Sequence, residues 1–312
     1  MTILKKVIKT QGLSKKFGNK YAVNDVSLSI NQGEIYGFLG LNGAGKTTTI
    51  LMLLGMVTPT FGNCYINNTE VKTNKIKLWN DIGYMVETPY AYPELTVRDN
   101  LEIFYKLRNL SSIETVDEVM DLLNIKQYEN VKVKNLSMGN SQRLGIAKAL
   151  IHKPKILILD EPTNGLDPTG IVEIRKLFKR LSEENKVTIL ISSHKLDEIS
   201  KIASKIGIIH NGKLIREIAC INLDRHLKKT LYIGGHNIKK MHKLLKEKGY
   251  SILIHEESQL IKTTDINIID NPEEIVTILV ENNYPPNLIN IEKENLEDYF
   301  LRILYEDKEK NI

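Results

Sequence analysis

Residues 40–48 read Gly-Leu-Asn-Gly-Ala-Gly-Lys-Thr-Thr and match the pattern G-x-x-x-x-G-K-[ST]. No other stretch constrains the fold as tightly. An apolar run at 35–39 precedes it and a helical pattern at 46–54 follows, which predicts strand, loop and helix in that order. Gly40, Gly43 and Gly45 let the backbone turn with its N–H groups inward, so the loop and the helix N-terminus offer donors and a positive dipole end to phosphate oxygens. The candidate cradle is Gly40, Asn42, Gly43, Ala44, Gly45, Lys46, Thr47 and Thr48. In it Lys46 is expected to reach the β- and γ-phosphates of a nucleotide, and the Thr47 hydroxyl to ligate Mg²⁺.

Two further stretches bear on the same chemistry. Residues 156–159 are a short apolar run, as in a buried parallel strand, and end in Asp160 and Glu161. Ligands of open parallel sheets bind beyond the carboxyl ends of the strands, which places both acids beside the phosphate loop. Asp160 suits Mg²⁺ through its water shell, and Glu161 suits orienting or deprotonating the water that attacks a γ-phosphate. A third run, 187–192, delivers His194 to the same edge. A histidine after a strand is commonly a plain loop residue, and here it could also contact the γ-phosphate or the attacking water.

The 312 residues have room for one large domain and a small one, and 42% hydrophobic content supports a true core. A net charge of +5 is too slight to argue for a nucleic-acid partner, though it suits proximity to an anionic membrane leaflet. Cys64 and Cys220 show neither metal-ligand spacing nor pairing, as expected of a reducing compartment. No apolar run approaches the roughly 18 residues of a membrane span, so a membrane role would need a partner to supply the membrane.

Alternation at Val26, Leu28 and Ile30 predicts a β-rich opening. Within it Phe17 could stack on a purine ring or simply pack locally at an edge strand. Residues 82–86 form another strand-length run, closed by Glu87-Thr88-Pro89, where the proline stops any helix. From 95 to 150 the periodicity is helical, with a capping-box pattern at Thr96 and Asp99 and with Ser137 placed to cap a helix through Leu150. The exposed N–H groups of that last helix could also accept an anion. Asn211-Gly212 predicts a type I′ hairpin, after which a compact core could close. Residues 228–312 read as βαββαβ, a small ferredoxin-like α+β domain, then a short helix at 296–304 and a charged, frayed tail at 306–312.

Taken together, residues 4–225 resemble the nucleotide-binding subunit of ATP-binding cassette (ABC) transporters, with several motifs in the family's order. The resemblance implies a P-loop NTPase α/β core with an antiparallel β subdomain and a helical insertion. It makes Phe17 the adenine-stacking aromatic, 40–48 Walker A, 136–143 the family signature, 156–161 Walker B, Asn164-Gly165-Leu166-Asp167 the D-loop and His194 the switch histidine. It implies ATP and Mg²⁺ as cofactors and a head-to-tail dimer in which Ser137 and Gly139 of a second copy close over the γ-phosphate. It also implies a separate multi-span permease, at the cytoplasmic face of a bacterial membrane.

One position departs from the family pattern. Glu87 stands where ABC proteins normally carry a glutamine that bridges Mg²⁺, water and the membrane subunit; a carboxylate there can still ligate Mg²⁺. Glutamate at this position, with Ile82-Gly83-Tyr84 and Tyr92-Pro93-Glu94-Leu95-Thr96, is similar to the exporters that protect bacteria from bacitracin and lantibiotics. Leu296-Glu297-Asp298-Tyr299-Phe300-Leu301 resembles the closing motif of daunorubicin-resistance-type exporter ATPases. The competing expectation is a non-transport ABC ATPase acting on ribosomes or DNA, a class that usually carries long coiled-coil insertions or two cassettes per chain; this chain shows neither pattern.

Overall fold

The computed structural model describes residues 5–72, 76–87, 90–256 and 258–310. Thr88 and Pro89, and with them the expected helix stop, lie outside the described residues. The chain divides into two compact units between Ile221 and Asn222.

The first unit opens with β1 (Lys6–Phe17), β2 (Lys20–Val26), β3 (Ser29–Asn31) and β4 (Ile35–Leu39), followed by α1 (Lys46–Leu53). Next come β5 (Phe61–Ile66), β6 (Thr69–Glu70) and β7 (Ile82–Met85), then the helices α2 (Val97–Leu107), α3 (Glu114–Leu122) and α4 (Met138–Leu150). The rest alternates: β8 (Ile156–Leu159), α5 (Pro168–Glu183), β9 (Thr188–Ser193), α6 (Leu196–Ile199), β10 (Lys205–His210) and β11 (Lys213–Ala219).

Two sheets result. β1, β2, β3, β5 and β6 pair antiparallel, the β subdomain expected from the early alternation. The second sheet has the order β11-β10-β4-β9-β8-β7, parallel throughout except for β11. Every residue of β4, β8 and β9 is buried, as parallel strands covered on both faces require. Phe38, Ile50, Leu53, Ile158 and Leu190 meet in one core, each contributing about 1.5–3 kcal/mol by leaving water. Because the strands run parallel, the carboxyl ends of β4, β9 and β8 open on one edge, with Gly40, His194 and Asp160 following them directly. Thr96 and Asp99 close a complete capping box on α2, and Asn211 and Gly212 hold φ of 47° and 79°, both positive as a type I′ turn demands.

The second unit runs α7 (Leu223–His226), β12 (Lys229–Gly234), α8 (Ile238–Glu247), β13 (Leu253–His255) and β14 (Leu260–Thr263). It ends with α9 (Ile266–Asp270), α10 (Pro272–Glu281), β15 (Leu288–Lys293) and α11 (Leu296–Lys310). Its sheet has the order β13-β14-β12-β15, all antiparallel, the ferredoxin-like arrangement. Its boundary lies before the 227/228 division drawn from sequence, because α7 is tied into this unit: Lys293 pairs with Asp224 at 2.8 Å and Arg302 donates to the His226 carbonyl at 3.1 Å. One expectation is corrected. Residues 306–310 are not a frayed tail but continue α11, where Arg302 holds Glu306 at 2.9 Å in an i,i+4 pair and good helix formers fill the last turns. Among the described residues no helix is long and apolar enough to cross a membrane.

Candidate functional site

The phosphate loop is shaped by close backbone approaches. A Cβ on Gly40 would lie 2.6 Å from the Ile209 carbonyl oxygen, and one on Gly45 would lie 2.5 Å from that of Ala22. Gly45 also holds φ at 108°, which an L side chain rarely adopts. This glycine begins α1 and brings no capping side chain, whereas α2, α4 and α5 are capped by Thr96, Ser137 and Asp167. The first N–H groups of α1 therefore keep their capacity for an anion.

Lys46 is 6% exposed and its ammonium reaches across the loop, donating to the Gly40 carbonyl at 2.7 Å. It also faces Glu161 Oε1 at 3.2 Å. That oxygen is buried and accepts no hydrogen bond among the described residues, so the acid's demand is met by charge alone. His194 Nδ1 stands 3.0 Å from the other oxygen, Oε2. Beside them the Thr47 hydroxyl donates to Asp160 Oδ2 at 2.7 Å, and the Ser192 hydroxyl donates to Asp160 Oδ1. Two hard oxygen donors side by side are what Mg²⁺ prefers.

Glu161 has a left-handed backbone, φ 49°, a conformation that costs a non-glycine residue about 1 kcal/mol or more. The surrounding structure holds it there from both sides. Its N–H donates to Ser192 Oγ at 2.9 Å, and its carbonyl accepts from Gln142 Nε2 at 3.0 Å. Ser192 and Gln142 are the residues that reading motifs overlooked. The available signals were a serine directly after the apolar stretch 189–191 of β9 and a glutamine on the buried face of α4.

The structure thus gathers Lys46, Thr47, Asp160, Glu161 and His194 around the 40–48 loop. Five further predicted residues form no hydrogen bond or ion pair with that cluster among the described residues. Phe17, at the end of β1, is 56% exposed with the Lys15 ammonium 5.2 Å from its ring centroid. Glu87 is exposed after β7, with φ 58°. Ser137 caps α4 by accepting from Asn140 N–H at 3.2 Å, and Gly139 lies near Gly165, its Cβ position 3.1 Å from that carbonyl oxygen. Asp167, the remaining predicted contact, caps α5 by accepting from Gly170 N–H at 3.0 Å.

Residues 23–164 match the ABC transporter family. The chain is 40% identical over 298 residues to the bacitracin transport ATP-binding protein BcrA of Bacillus licheniformis, covering 96% of this chain and 97% of that protein. It is 38% identical over 211 residues to the lantibiotic transport ATP-binding protein SrtF of Streptococcus pyogenes, covering 68% of this chain and 90% of that one. Among solved structures, a dimeric post-hydrolysis state of the ATP-binding cassette MJ0796 bound to ADP and Pi aligns with a TM-score of 0.64 at 27% identity, covering 68% of this chain and 98% of that one.

Proposed function

The chain belongs to the ABC transporter family as an ATP-binding subunit, and from that premise we propose that it hydrolyses ATP to drive a separate multi-span permease exporting peptide antibiotics of the bacitracin or lantibiotic kind. The observation that carries the chemistry is the Glu161 carboxylate, held between Lys46 and His194 at the mouth of the phosphate loop. The substrate class rests on the relatives' names and on Glu87.

In this reading Lys46 exchanges its loop-carbonyl bond for phosphate oxygens, and the N–H groups of α1 take the remaining negative charge. With Lys46 so engaged, Glu161 is released to accept a proton from the attacking water, while His194 keeps its carboxylate oriented. Thr47 and Asp160 would hold Mg²⁺, with Glu87 a further carboxylate for it; bound there, Mg²⁺ neutralises charge on the transferred phosphoryl group. Phe17 stacks on the adenine, and Asp167 lies in the loop that meets the second copy. Ser137 and Gly139 of that copy complete the site head to tail, so one chain holds half of each. The assembly works at the cytoplasmic face of the membrane, α2 and α3 passing the motion to the permease.

The test is ATP hydrolysis by the purified chain, alone and with its permease in vesicles, beside bacitracin sensitivity of cells lacking the gene. Hydrolysis absent under both conditions would end the enzymatic reading. Hydrolysis with unchanged sensitivity to bacitracin and to lantibiotics would end the substrate assignment.

A further inference from the structure

The sheet of the second unit ends on one side in a short strand and on the other in an open one. β13 offers three residues, too few to template a partner, whereas β15 offers six in an uninterrupted register with β12. All six residues of β15 are exposed, including Leu288, Ile289 and Ile291 at 42%, 41% and 43%. Proteins normally blunt such an edge with lysine, proline or a bulge. In β15 the stretch Leu-Ile-Asn-Ile has none of these, and Lys293 is drawn aside by Asp224 at 2.8 Å.

The register shows what is left open. Ile289 stands opposite Ile233 and Ile291 opposite Leu231, so both isoleucines lie on the face where Ile233 and Leu231 are buried in the unit's core. The core therefore runs to the edge and stops uncovered. Glu294 N–H donates to the Lys228 carbonyl at the end of the ladder. Counting back by twos, residues 288, 290 and 292 turn their backbone groups towards β12, which leaves those of Ile289, Ile291 and Lys293 facing outward.

We propose that β15 pairs antiparallel with β15 of a second copy of this chain, about a two-fold axis through Asn290. This register sets Ile289 opposite the other copy's Ile291, twice, as hydrogen-bonded pairs made by the outward-facing backbone groups, and joins the two cores through four isoleucines. Asn290 meets its own symmetry mate in a non-hydrogen-bonded pair. Centring one residue further on would face Ile289 with Lys293 and keep a single isoleucine pair, which decides between the two. A contact of two short strands falls below the roughly 1,000 Å² that holds a complex by itself. The pairing therefore acts within the two-copy assembly of the preceding subsection and rests on that reading, each unit being tethered at high effective concentration.

The experiment places Asn290→Cys in full-length Cys220→Ser protein carrying Glu161→Gln, with ATP, and reads disulfide-linked dimer after mild oxidation. Facing Cα atoms of a non-hydrogen-bonded pair are about 4.5 Å apart, within disulfide reach. Most of the protein is expected to cross-link, and adding Ile289→Lys with Ile291→Lys should cut that at least tenfold while ATP binding, the control for folding, stays unchanged. Absence of cross-link, or equal cross-linking by the exposed control Lys240→Cys, would overturn the proposal. Sizing of the Glu161→Gln protein with ATP separates the two readings: a dimer that forms without the 290 cross-link sinks only the strand pairing, and absence of both sinks the dimer as well.

Discussion

The carboxylate of Glu161 is engaged at both oxygens, by Lys46 Nζ at 3.2 Å from Oε1 and by His194 Nδ1 at 3.0 Å from Oε2. Lys46 thus lies against one oxygen of the carboxylate proposed to accept the proton of the attacking water. Glu161→Gln keeps the shape and removes the proton acceptor, so kcat should fall by about 10²–10⁴ while ATP affinity is kept. ATP turnover and equilibrium nucleotide binding, measured on the same preparation, check this.

His194 touches only one of those oxygens. His194→Ala should lower kcat by roughly tenfold or more with KM little changed, the pattern of a lost orienting contact and not of a lost binding group. Steady-state kinetics over a range of ATP concentrations distinguish the two.

Lys46 is the buried cation of the loop. Lys46→Met removes a charge-assisted contact worth about 1.5–3 kcal/mol, so ATP affinity should weaken about 10- to 100-fold. It also strips Glu161 of its counter-charge, and titration with a fluorescent nucleotide reads the binding part directly.

Ser192 and Gln142 restrain a strained backbone. Gln142→Leu leaves the Glu161 carbonyl without its partner at a cost of about 1–3 kcal/mol, and kcat should drop by about tenfold without loss of nucleotide binding. Kinetics beside a urea-unfolding curve separate the catalytic effect from the stability effect.

His152 follows α4, where its Nε2 stands 3.0 Å from the Ile82 carbonyl and its Nδ1 is buried without a hydrogen bond among the described residues. Burial, helped by the nearby Arg108 cation, pushes its pKa down to about 4. The unfolded chain, with an ordinary histidine near 6.5, takes up the proton first as pH falls. Stability is accordingly complete above about pH 6.5 and declines toward pH 4, by about 1–2 kcal/mol at pH 5. Urea midpoints at pH 7.5 and pH 5 should differ in the native chain and converge in His152→Gln.

Much of this could be read from residue order. The 40–48 loop, the apolar runs ending in Asp160 and His194, the capping box at Thr96 and the Asn211-Gly212 turn all obey short-range rules of period, turn chemistry and cap chemistry, which act over a few residues. The βαββαβ order of the second unit follows from the same signals. Ends and short pieces did not: α11 runs on through a charged stretch that reads as a tail, and α9 rests on a single cap, Asp265 accepting from Asn267 N–H at 3.0 Å.

The sequence by itself determined which groups the site contains: Lys46, Thr47, Asp160, Glu161 and His194. Only the tertiary structure decided how they are held. Strand order β4-β9-β8 brings residues more than a hundred positions apart to one sheet edge. Once there, it assigns Lys46 to one oxygen of Glu161 and His194 to the other, and recruits Ser192 and Gln142 as clamps on its backbone. The reason is physical: short-range propensity fixes a residue's conformation, whereas which distant side chain completes its hydrogen bonding is set by the packing of the whole sheet.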